Sequence, residues 1–210
     1  MIQTTSLRFT YPDTKNKTLC FPDIVLPPKK DMLILGPSGV GKTTLLHLLA
    51  GLLPPKIGDI CIANTCLNRL SRRQLNRFRG EHIGLIFQKT CFIKSLTLLE
   101  NLTLRERFSK KKGDRYRKEE LIMHLGLSDL LHKKVYQLSL GQQQRLSIAL
   151  GVIHKPKIIL ADEPTSNLDD ANCKKVISLL KKEAQICQSN LVIITHDHRV
   201  TAHFSNHINL

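Results

Sequence analysis

One segment restricts the possible folds of this chain more than any other: Gly36-Pro37-Ser38-Gly39-Val40-Gly41-Lys42-Thr43, which fits the pattern G-x-x-x-x-G-K-[ST]. Its flanks matter as much as the string. The run Asp31–Leu35 before it reads as a buried strand, and Leu45, Leu46, Leu48, Leu49 and Leu52 after it are spaced as the inner face of a helix that Gly51 and Pro54-Pro55 stop. A glycine-rich turn between strand and helix lets the backbone wrap phosphate oxygens, so that successive N–H groups and the positive helix end face an anion. Lys42 then reaches the β- and γ-phosphates and the Thr43 hydroxyl binds Mg²⁺. The expected ligand is a nucleoside triphosphate held by Gly36, Pro37, Ser38, Gly39, Val40, Gly41, Lys42, Thr43 and Thr44.

The rest of the chain alternates short apolar runs with helical patterns, which predicts an α/β fold on a parallel sheet. Lys157–Ala161 and Leu191–Thr195 are two further buried strands, separated by a helix over Ala171–Gln188. Shorter strands at Leu7–Tyr11, Leu19–Val25 and Ile57–Ala63 suggest an antiparallel layer, while the charged helical patterns from Lys89 to Gly151 read as an insertion. Ile158–Ala161 ends in adjacent acids, Asp162 and Glu163, at the strand end where open α/β sheets place ligands. Asp162 is expected to hold Mg²⁺ through water. Successive strand side chains point oppositely, so Glu163 is free to polarise the attacking water as general base.

Leu138-Ser139-Leu140-Gly141-Gln142-Gln143-Gln144-Arg145, upstream of Asp162, resembles the LSGGQ signature loop of ABC-transporter ATPase subunits. The resemblance spans essentially the whole chain. Ser166-Asn167-Leu168-Asp169 is similar to the family's D-loop, Gln88 after Ile86-Phe87 to its Q-loop, and His196 in Ile193-Ile194-Thr195-His196-Asp197 to its switch histidine. Phe87-Gln88, Leu96–Leu102 and Gly36–Gly39 look most like the MacB/LolD/FtsE-like branch.

This resemblance implies a P-loop NTPase (RecA-like) parallel core with an antiparallel β layer and a helical subdomain. The whole chain, 1–210, would be one ATPase domain, with residues 1–88 and 152–210 as the nucleotide-binding core and 89–151 as the helical part carrying the signature loop. It further implies that ATP is the nucleotide and that Ser139, Gly141 and Gln142 meet ATP held by the opposite subunit of a head-to-tail homodimer. In the same arrangement Asp169 shapes the dimer seam, unless it only caps the helix that follows. Gln88 would contact Mg²⁺ and the lytic water, and His196 would donate to the γ-phosphate. Tyr11 falls where the family places the aromatic that stacks on adenine, the alternative being that it, like Phe9 on the same strand face, is simply core. Leu140 departs from the family by replacing its middle glycine, which raises the question of a positive φ at that point. The implied work is ATP hydrolysis coupled to a separate transmembrane permease.

Composition limits the alternatives. With 41% apolar and 23% charged residues, 9 Pro and 11 Gly, the chain is neither disordered nor collagen-like. No apolar stretch approaches the roughly 18–20 residues of a bilayer-spanning helix, and no secretory signal is visible, so a cytoplasmic location on the inner face of the membrane is expected through the partner. The six cysteines include no C-x-x-C pair and read as reduced and mostly buried; the late histidines His196, His198, His203 and His207 do not form a recognised zinc set.

The charge is lopsided, 32 basic against 17 acidic residues, a net +15. Arg69, Arg72, Arg73, Arg77 and Arg79 form one cluster; Arg105, Arg107, Lys110, Lys111, Lys112, Arg115, Arg117 and Lys118 form a second. Either cluster could face the membrane partner or acidic lipid headgroups. The alternatives are a soluble ABC-type ATPase acting on nucleic acid, disfavoured for want of a recognisable nucleic-acid module, and a nucleotide-dependent regulator that does not hydrolyse.

Overall fold

The computed structural model describes residues 1–12, 18–88, 91–110, 114–166 and 168–210. Chain order runs β1 (Ile2–Thr10), β2 (Thr18–Cys20), β3 (Val25–Leu26), β4 (Asp31–Leu35), α1 (Lys42–Leu49), β5 (Ile57–Ile62), β6 (Thr65–Cys66), α2 (Arg72–His82), β7 (Ile83–Ile86), α3 (Leu98–Phe108), α4 (Arg115–His124), α5 (Leu140–Val152), β8 (Ile158–Asp162), α6 (Asp170–Cys187), β9 (Asn190–Thr195) and β10 (His207–Asn209).

A parallel sheet in the order β10-β4-β9-β8-β7 forms the centre, and a second, antiparallel sheet in the order β2-β1-β5-β6, with β3 also paired to β1, covers one side. The continuous apolar runs of the parallel strands follow from burial on both faces. Alternate side chains feed two cores: Leu33, Leu35, Ile159, Ala161, Leu191 and Ile193 pack towards α3, α4, α5 and α6. Met32, Ile34, Ile158, Leu160, Val192 and Ile194 pack towards α1 and the antiparallel sheet. Strand period thus explains how one sheet supports both layers.

Several expectations need correction. The first strand begins at Ile2, five residues before the predicted start; the alternation of buried Ile2, Thr4, Leu7 and Phe9 is broken by a register shift between Thr5 and Arg8, where Ser6 has φ 51°. The predicted strand Leu19–Val25 divides into β2 and β3. Leu52 lies beyond α1 and is exposed, because the chain has already turned at Gly51 with φ +62°. The C-terminal β10, parallel to β4, was not foreseen.

The cysteines also differ from the reduced, buried set. Cys61 and Cys66 are directly opposed across the β5–β6 hairpin and form a disulfide. The turn that brings them together has positive φ at Ala63 and Asn64, and alanine gives little warning of such a turn. Of the remaining cysteines only Cys173 is buried; Cys20 and Cys91 are exposed and Cys187 is intermediate.

The second basic cluster is not one solvated face. Arg117 is buried against the fully buried Glu183 of α6, Lys118 pairs with Glu106, and Arg115 pairs with Glu119 at 2.8 Å. Arg105 is largely buried, its Nη atoms donating to the Gly80 and Ile83 carbonyls, and desolvation lowers its pKa to about 10. Lys111 and Lys112 lie outside the described residues.

Candidate functional site

The parallel strands deliver their C-terminal ends to one edge, and there β4 runs into the glycine-rich turn. Gly39 and Gly41 have φ of 83° and 108°, conformations that carry a steric cost for any residue with a Cβ. Gly41 is the N-cap of α1 and supplies no side-chain bond to the helix N-terminus, so the first-turn N–H groups lack a side-chain cap. That is the chemistry of an anion cradle.

The cradle lines a cleft of about 430 Å³ with Tyr11, Ser38, Lys42, Thr43, Gln88, Glu163 and His196 among its walls. Lys42 is buried, its Nζ donating to the carbonyls of Gly36 at 2.8 Å and Pro37 at 3.0 Å and lying 3.8 Å from Glu163 Oε1. An ammonium held among carbonyls and one carboxylate has the freedom to turn to phosphate oxygens. Thr44 is half of a second contact: its hydroxyl and the Tyr11 hydroxyl are 2.9 Å apart, which fixes the Tyr11 ring at the cleft wall while Phe9 packs edge-on at 4.8 Å in the core.

Thr43 Oγ1 donates to Asp162 Oδ2 at 3.1 Å, while Asp162 Oδ1 is buried with no hydrogen-bond partner. Burial pushes the Asp162 carboxyl above the usual carboxylate range. An orphaned carboxylate oxygen beside a threonine hydroxyl is a hard-oxygen donor set, and it fits a Mg²⁺ ion.

Glu163 follows the last residue of β8 and has φ 47°, which takes its side chain out of the strand alternation. Pairing of Asp162 with Ile194 puts Glu163 opposite the end of β9, where its own N–H donates to the Ile194 carbonyl at 2.8 Å. Thr195 Oγ1 donates to Glu163 Oε2 at 2.7 Å, the His196 N–H donates to Oε1 at 3.2 Å, and His196 Nδ1 lies 2.8 Å from Oε1. The carboxylate is thereby aimed while His196, 56% exposed in its side chain, stays open to the cleft. Thr195 is the positioning residue that sequence reasoning missed. Its only signal was a hydroxyl closing an apolar strand beside His196.

The signature residues do not line this cleft. Ser139 is the N-cap of α5, its Oγ accepting from the Gln142 N–H at 3.3 Å while Gln142 Oε1 accepts from the Ser139 N–H at 2.9 Å. This reciprocal box leaves the hydroxyl proton of Ser139 free to donate. Leu140 is the first residue of α5, has no positive φ and is 84% exposed, so the backbone does not ask for glycine there. A Cβ on Gly141 would meet nothing within 4 Å in this chain. Asp169 also lies apart from the cleft and caps α6, accepting from the Asn172 N–H at 2.8 Å; that backbone bond holds its carboxyl below the usual range. Asn167 lies outside the described residues.

The ABC transporter family profile matches residues 23–166. The lipoprotein-releasing system ATP-binding protein LolD of Hydrogenovibrio crunogenus is 35% identical over 206 residues, covering 96% of this chain and 90% of that protein. The ABC transporter ATP-binding protein YvcR of Bacillus subtilis is 36% identical over 203 residues, covering 94% and 78%. Among solved structures, the dimeric ABC transporter cassette MJ0796 superposes with a TM-score of 0.88 at 32% identity, covering 100% of this chain and 94% of that one. A second structure of that cassette, a dimeric post-hydrolysis state bound to ADP and Pi, superposes equally well, with a TM-score of 0.88. With its cradle, paired acids and signature helix arranged on this fold, the chain belongs to the ABC transporter ATP-binding family and is an ATPase cassette, with relatives consistent with a MacB/LolD/FtsE-like branch.

Proposed function

We propose that this chain is the motor subunit of a membrane transporter: a pair of chains closes head-to-tail around ATP, hydrolysis reopens the pair, and a separate transmembrane partner converts the cycle into work. The observation that carries the reading is a division of labour. Cradle, acids, Gln88 and His196 share one cleft, whereas Ser139 and Gly141 sit at the exposed start of a different helix, where a second copy can reach them.

In this reading the 36–44 loop and the α1 N-terminus hold the phosphates, Lys42 exchanges the Gly36 and Pro37 carbonyls for phosphate oxygens, and Tyr11 stacks on the adenine. Thr43, Asp162 and Gln88 are the residues that would hold Mg²⁺, which supplies charge neutralisation on the phosphates when bound. Glu163 takes the proton from the attacking water, held in register by Thr195 and His196. His196 donates to the γ-phosphate. The partner copy's Ser139 hydroxyl, Gly141 N–H and Gln142 complete the phosphate contacts, and Asp169 lies at the seam between copies.

Coupling to the membrane partner is supported by the segment after β7. Gln88 faces the nucleotide cleft, while its neighbour Phe87 lines a separate groove of about 350 Å³ with Phe92, Ile93, Leu104 and Phe108. Adjacent residues in two sites give one short segment the means to pass nucleotide state to whatever occupies the groove. Among the described residues no helix is long and apolar enough to cross a membrane.

The test is the Glu163→Gln variant, assayed for phosphate release and, by light scattering, for association. The reading expects turnover to fall by at least about a hundredfold while MgATP drives dimer formation. Undiminished turnover would remove Glu163 from its role, and a monomer in MgATP would remove the closed pair.

A further inference from the structure

We propose that the exposed face of α2, with Arg69 just before it, is a membrane-contact surface that binds anionic phospholipid headgroups. For its orientation the proposal rests on the groove of the preceding subsection facing a transmembrane partner.

The helix is built with a basic outer arc. Leu75 and Phe78 pack into the core, which leaves Arg72, Arg73, Asn76 and Arg77 together on the solvent side. Arg77 is neutralised by Glu81 at 2.7 Å, but Arg69, Arg72 and Arg73 have no ion-pair partner among the described residues. Arg72 and Arg73 occupy the first turn, which contains no acid, so they sit at the positive end of the helix dipole. Helix stability does not account for that placement; an external anion does. Within the second basic cluster Arg117, Lys118 and Arg115 all carry carboxylate partners within the chain.

The surroundings favour a lipid surface as that anion. Arg79 Nη1 donates to the Gly51 carbonyl at 2.9 Å, tying α2 to the turn that exposes Leu52. One residue further on, α2 abuts α3, where a Cβ on Gly80 would lie 2.9 Å from the Phe108 carbonyl, and Phe108 lines the groove. The exposed Leu52 thus lies beside the part of α2 that borders the groove, with the arginines further along the same helix, towards and just before its N-terminus. Cations beside an apolar residue suit the headgroup layer.

The experiment is co-sedimentation of the full chain with vesicles of phosphatidylglycerol and phosphatidylcholine, and with vesicles of phosphatidylcholine alone. The parent is expected to bind the anionic vesicles only, and less at high salt. The triple variant Arg69→Gln, Arg72→Gln, Arg73→Gln should lose about a hundredfold in partitioning, roughly fivefold per arginine. A charge-matched control, Lys174→Gln, Lys175→Gln, Lys182→Gln on the exposed side of α6, should stay within about fivefold of the parent. Equal binding by the triple variant, equal loss in the control, equal binding to phosphatidylcholine, or a loss seen with duplex DNA and not with vesicles would each overturn the proposal. Phosphate release and MgATP-driven dimerisation of the same preparations keep the two readings apart. Failed vesicle binding with both intact discards this surface alone, whereas their absence in the parent discards the motor reading.

Discussion

Removing one partner of the Arg117–Glu183 pair should cost more stability than any other single change on the surface of α4. The guanidinium is 2% exposed and the carboxylate 0%, and the pair joins α4 to α6 across 66 residues of sequence. Around it, His124 Nδ1 lies 3.7 Å from Glu183 Oε1, and the Arg117 Nη2 also reaches Cys187 Sγ at 3.7 Å. Arg117→Met keeps most of the side-chain volume and strands a buried carboxylate, a loss of about 3–5 kcal/mol. For a chain of this size that lowers the melting temperature by about 10 °C and the urea midpoint by about 1.5 M. The double variant Arg117→Met, Glu183→Leu removes both charges and should recover most of the loss. Urea unfolding of parent, both singles and the double closes the cycle. A single variant within about 1 kcal/mol of the parent, or a double variant no more stable than the singles, would refute the argument.

Thr195→Val should lower the maximal ATPase rate about tenfold or more by releasing Glu163 Oε2, with ATP affinity little changed and activity restored in Thr195→Ser; a wild-type rate in the valine variant would dismiss the positioning role. Tyr11→Ala should weaken ATP binding about tenfold through lost stacking, and unchanged binding in a fluorescent-nucleotide titration would place the adenine elsewhere. Asp197 accepts from the Arg199 side chain and N–H and from Thr165, and these bonds hold its pKa at about 2, against 3.8 ordinarily. A depressed folded-state pKa means stability that is complete above pH 3.8 and lost as pH falls towards 2. Asp197→Asn should therefore cost about 1 kcal/mol at neutral pH, allowing for solvent screening, and flatten the acid limb of a stability–pH profile; parallel profiles for the two proteins would contradict this.

What could be read from sequence was what is contiguous in sequence. The Gly36–Thr43 turn, the Asp162-Glu163 pair and the run ending at His196 are strings whose flanking apolar residues fix their place at the strand ends. Features made by tertiary pairing were not legible. Arg117 is flanked by Arg115, Lys118, Glu119 and Glu120, a pattern that reads as solvated until Glu183 arrives from a distant helix. The Cys61–Cys66 bond depends on a hairpin register, and Thr195 depends on Glu163 leaving the strand alternation with φ 47°. Leu140 was questioned on family grounds, yet a helical φ at the start of α5 removes the backbone objection. Asp169 performs the bland role considered for it, capping α6, and the cap leaves its place at a dimer seam to be tested.

The most direct measurement is a structure of the Glu163→Gln chain with MgATP. The account predicts two copies related by a twofold axis, each triphosphate lying between the 36–44 loop of one and Ser139–Gln142 of the other. A triphosphate touched by one chain alone, with Ser139 open to solvent, would contradict it.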